Sequence, residues 1–113
     1  MLSLELHHEV EKELDRAEKA RQDGLEGRAR VCARRAAGIV LRAYYQAHPV
    51  TPAPASAYDY LQLLRDDPQM NPELRRIADL LLTRVNQDFH LPVETDLIAA
   101  TRRLVQILEK DIN

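Results

Sequence analysis

Arg84 and His90, with five residues between them in the stretch Arg84-Val85-Asn86-Gln87-Asp88-Phe89-His90, are the pair in this chain best suited to chemistry. Arginine offers a fixed cationic fork to phosphate oxygens, and histidine is the side chain that titrates near neutrality. Held together where one helix ends and the next begins, they would be enough to handle a phosphodiester without a metal. A competing arrangement is written into the same stretch. Asp88 follows Arg84 at the spacing of a helical ion pair, which would leave an ordinary surface pair and a junction histidine.

The other reactive side chains point to less. His7-His8-Glu9 are adjacent, so a helix would aim them apart, and no further ligand follows at a useful spacing; no metal site is expected. Cys32 lies among small apolar residues and reads as a buried filler, while His48, just before Pro49, reads as a helix-end residue. Without a Gly-rich phosphate loop or a nucleophile elbow, no cofactor is expected.

The elements that must position Arg84 and His90 are helical. At 113 residues, 45% hydrophobic and 30% charged, with three Gly, the chain has the make-up of one helical domain spanning 1–113. Sixteen Lys plus Arg against eighteen Asp plus Glu leave it near neutral, so any anion binding must come from a local patch. The single cysteine, the acidic start and the absence of a long apolar run suggest a cytoplasmic protein that does not engage a membrane.

Period and punctuation predict an all-α fold, a four- to five-helix up-and-down bundle. A first helix runs from about Ser3 to Gln22, stopped by Asp23-Gly24, and a second from about Leu25 to Ala47, stopped by His48-Pro49. After a proline-rich loop over 49–55, Ser56 opens a short helix through about Arg65. Asn71-Pro72-Glu73 starts another, with Leu74, Ile77, Ala78, Leu81 and Val85 inward, fading near Asp88. A last helix from about Val93 buries Leu97, Leu104 and Leu108.

The second helix carries two apolar stripes. Leu25, Ala29, Cys32, Ala36, Val40, Ala43 and Ala47 make a broad one, suited to a bundle core; nearly opposite lie Val31, Gly38 and Tyr45, with Leu41 beside them. Either the helix runs through the middle of the bundle, or its back meets a second copy of the chain. The usual single stripe of a bundle helix favours the second, a homodimer through Val31, Gly38, Leu41 and Tyr45. Between the stripes Arg28, Arg35 and Arg42, at intervals of seven, form a nearly straight cationic line that could track phosphates, with Arg30 and Arg34 on its flank. Surface charge runs are usually paired, and Glu9, Glu13 and Glu18 are the acids that would do it.

The order of these pieces resembles a HEPN domain: Ala17-Glu18-Lys19-Ala20, Gly24-Leu25, the alanine-rich helix over 29–45, a long loop and short helix, then the loose Arg84-to-His90 motif before a final helix. That resemblance implies a bundle that dimerises, with two Arg/His pairs in the cleft between protomers. Many members cleave RNA without metal, and some work beside a nucleotidyltransferase-type protein partner. Carried over, Arg84 would hold the phosphate and His90 would move the proton for attack by a 2′-hydroxyl. The chain departs from the pattern at Val85, where active relatives often have a polar residue, leaving Asn86 one step later as a phosphate or RNA contact; Leu91 likewise replaces a favoured aromatic or polar residue. With near-neutral charge, these departures favour a non-catalytic or weakly active HEPN-like interaction module. The alternative is a metal-independent, toxin-like ribonuclease using Arg84 and His90 across a dimer cleft.

Overall fold

The computed structural model describes residues 2–83 and 96–112, and among them every regular element is a helix. These are α1 (Leu4–Gln22), α2 (Glu26–Ala47), α3 (Ala57–Asp66), α4 (Pro72–Leu82) and α5 (Leu97–Ile112). Most starts are set by capping side chains. Ser3 Oγ accepts from the Leu6 amide, Ser56 Oγ from Asp59, and Asn71 Oδ1 from Glu73, with Pro72 in the first turn of α4.

The α1–α2 turn is closed by backbone alone. The Leu25 amide donates to the Ala20 carbonyl and Gly24 to Arg21, the paired bonds of a Schellman ending, which require the left-handed φ of +77° at Gly24. The two helices therefore lie antiparallel. Arg16, Lys19 and Asp23 share one depression with the start of α2, and Leu6 and Glu9 share another with its end.

α2 is the central element and touches all four other helices. Its alanines (Ala29, Ala33, Ala36 and Ala37) are buried to within 1% and let neighbouring backbones approach closely. Around it pack Val10 and Leu14 of α1, Leu61 and Leu64 of α3, Leu74 and Leu81 of α4, and Leu104 and Leu108 of α5, all but fully buried in one core. Among the described residues no helix is long and apolar enough to cross a membrane.

That centrality corrects the expected dimer face. Gly38, Leu41 and Tyr45 are buried within the chain itself, with α3 packed against Gly38 and Tyr45. A Cβ on Gly38 would lie 2.6 Å from the Ala57 Cβ, and the Tyr45 ring stacks on Tyr60 at 5.8 Å between centroids. Burial pushes the Tyr45 hydroxyl up to about 12, with smaller contributions from Tyr44 and Asp67, so it stays neutral and serves packing. Of the four expected interface residues only Val31 is exposed, at 41%.

Two helix bounds also differ from the sequence reading. α4 stops at Leu82, short of Asp88, because Thr83 turns extended and its hydroxyl donates back to the Asp79 carbonyl. Val85 falls outside the described residues. α5 begins at Leu97 rather than near Val93, since Asp96 is its cap: one carboxylate oxygen accepts from the Ile98 and Ala99 amides at 3.1 Å.

The same Asp96 oxygen accepts from Arg21 Nη1 at 2.8 Å, and Arg21 Nε donates to Glu26 at 2.9 Å. One guanidinium thus ties together the end of α1, the start of α2 and the cap of α5. The Arg21 bond, then the Ala99 amide, hold the Asp96 carboxyl below its ordinary value. A depressed carboxylate stabilises the fold above its unfolded pKa of about 4, and the contribution is lost as pH falls through the lower folded value. Asp96→Ala should therefore cost ~1 kcal/mol at neutral pH and much less in acid, checked by denaturant melts across pH.

Candidate anion-binding face

The exposed face of the α1–α2 hairpin brings together most of the arginines singled out by spacing. Arg28, Arg35 and Arg42 are all exposed, and none makes an ion pair with any described residue. The acids expected to neutralise them, Glu9, Glu13 and Glu18, form no ion pair with them. Glu13 instead receives Arg16 at 2.9 Å, one helical turn away on α1.

The arginine line is not electrostatically uniform. Toward the end of α2, a depression of 380 Å³ is lined by Arg35 and Arg42 but also by Glu9 and Glu13, so acid and base face each other there. Toward the start of α2, a larger depression of 610 Å³ is lined by Arg28 and Arg35 from α2 and by Arg16 and Lys19 from α1, with Asp23 the one acid among its described lining residues and Arg16 paired outside it with Glu13. Its walls include Leu25 and Val31, which are 46% and 41% exposed, and Cys32, which is buried. A net positive lining that includes exposed apolar side chains attracts anions and also rewards burial of apolar surface. The Lys19–Asp23 pair, 3.6 Å long and more than half exposed on both sides, is worth little and would yield to an incoming carboxylate or phosphate.

Arg30 and Arg34 part company with the line, and their role was missed in the sequence. Arg30, only 8% exposed, donates to the Thr83 carbonyl at 2.9 Å, and Arg34 donates to the Leu81 carbonyl at 2.7 Å. α4 has no basic residue in its last turn, so these two α2 side chains supply the cations that its carbonyl end attracts. A signal was available. Arg30 and Arg34 share a face one turn apart beside the buried Ala29, Ala33 and Ala37, whereas Arg28 and Arg35 do not.

Arg84, Asn86 and His90, the candidate phosphate-handling residues, lie outside the described residues. Their flanks are fixed: Thr83 is held by Arg30, and Asp96 by Arg21. No family model matches the chain, and no curated protein or solved structure is detectably similar to it.

Proposed function

We propose that this chain is a non-catalytic, HEPN-like helical interaction module whose working surface is the cationic depression at the α1–α2 turn and whose ligand is anionic. The observation that supports this reading is the pair Arg28 and Arg35, exposed and without ion partners among the described residues, lining one depression with the exposed apolar Leu25 and Val31. In a chain of near-neutral total charge, such a patch is a local device and not the by-product of a basic protein. A homodimer of the module would use a surface other than the buried Gly38, Leu41 and Tyr45.

Retention on immobilised heparin tests the reading, because screened electrostatic binding is released by salt. The intact protein should be retained at low salt, and Arg28→Glu with Arg35→Glu should elute markedly earlier at unchanged melting temperature. Equal elution of the two would remove this face from function. The ribonuclease alternative separates cleanly: the module should leave single-stranded RNA intact in EDTA, and cleavage that disappears in His90→Ala would replace the binding reading with a catalytic one.

A further inference from the structure

Gly27 occupies the first turn of α2 and lines the wall of the same depression. A glycine in a helix is less favourable than alanine, by roughly 1 kcal/mol in the interior and by less in the first turn, and a close neighbour or a left-handed backbone is a common reason for one. Neither applies among the described residues: Gly27 has no positive φ, and a Cβ built on it would meet none of their atoms within 4 Å. Gly38 is the contrast, since its missing Cβ is demanded by Ala57 of the same chain. One turn after Gly27 comes the exposed Val31, and Arg28 and Arg35 flank the two.

We infer that this depression is the docking site of an acidic amphipathic helix from a partner protein, lying across α2 where Gly27 lets its backbone come close. This inference rests on the anionic-ligand reading above and narrows it. An amphipathic helix brings an apolar stripe for Leu25 and Val31, while Asp or Glu on its flanks meets Arg28 and Arg35, unpaired among the described residues, on the α2 side and, in place of Asp23, Lys19 on the α1 side. A single-stranded nucleic acid matches the charge but leaves the apolar lining unsatisfied, because among the described residues no aromatic side chain lines the depression for bases to stack on. A second copy docked through the same patch about a two-fold axis would set these cations against their own images, which is repulsive.

The test is fluorescence anisotropy of the full chain at low salt against labelled probes. The first is a synthetic Leu/Glu amphipathic helix of about five turns. The others are its twin with Gln for Leu, its twin with Lys for Glu, and a single-stranded RNA of matched charge. The Leu/Glu helix should bind, the Gln twin roughly tenfold or more weaker for want of the apolar stripe, and the Lys twin not at all. Gly27→Ala should weaken the Leu/Glu helix by roughly tenfold through overpacking while raising the melting temperature of the protein alone. That opposition is not produced by a merely structural glycine. Equal binding of the Leu and Gln helices, or unchanged affinity in Gly27→Ala, would overturn the inference. RNA bound through Arg28 and Arg35 with no peptide binding would also overturn it while leaving the anionic-ligand reading standing, whereas failure of every probe together with loss of heparin retention would remove both.

Discussion

Tyr45→Glu should unfold this protein rather than alter its association. Tyr45 is 8% exposed, with its ring stacked on Tyr60 and set edge-on to Tyr44 at 5.0 Å. Replacement removes a large buried ring and offers the same space to a carboxylate that must either stay charged out of water or take up a proton. The loss of an aromatic side chain alone is worth ~3–5 kcal/mol, and for a chain of this size that lowers Tm by roughly 15 °C or more. Val31→Glu is the control on the same stripe. At 41% exposure it should leave Tm nearly unchanged. Thermal melts of the two variants would contradict the central placement of α2 if they moved together, or if Tyr45→Glu kept its Tm and changed only the mass measured by light scattering.

The second large effect is expected at Gly38, where α2 and the first residue of α3 meet. An added Cβ would sit 2.6 Å from the Ala57 Cβ and 3.2 Å from its Cα, so the obstacle includes backbone and cannot swing away. Gly38→Val should therefore cost about 3 kcal/mol or more, through overpacking at a site with no slack. Gly38→Ala is the test of sign. Helix propensity alone predicts a gain of ~1 kcal/mol, and the steric term predicts a larger loss. Ala57→Gly removes one side of the clash, so the double variant should recover much of what Gly38→Ala loses. Additivity in that double-mutant cycle, measured by denaturant unfolding, would show that the two positions do not meet.

The helices were legible in the sequence because their signals are local. Ser3, Ser56 and Asn71-Pro72 mark starts through side-chain chemistry within one turn, and Gly24 marks a stop through its own backbone. The role of α2's second stripe was not legible. Periodicity reports that Gly38, Leu41 and Tyr45 are covered, but it is silent on whether the cover comes from the same chain, and here a ten-residue helix supplies it for Gly38 and Tyr45 through Ala57 and Tyr60. The end of α4 was missed for a related reason. Arg30 and Arg34, some fifty residues upstream, take its last carbonyls, and no pattern within α4 announces them.

The candidate site divides along the same line. That Arg28, Arg35 and Arg42 form one row follows from their spacing alone, but their inequality does not. Only the packing of α1 places Glu9 and Glu13 beside Arg42 and places Arg16 and Lys19 opposite Arg28. Gly27 is uninformative in sequence, because a glycine near a helix start has several ordinary explanations. It became informative once Gly38 was seen to have a neighbour and Gly27 none among the described residues.

The central claim, that the α1–α2 turn is the working surface, is tested most directly by amide chemical shifts of the full chain during titration with the Leu/Glu helix. The account predicts that the largest changes gather at Arg16–Lys19, at Gly27–Arg28 and at Val31–Arg35, with α3 and the body of α5 unmoved. Changes centred on Arg84 to His90, or spread evenly over the surface, would contradict it.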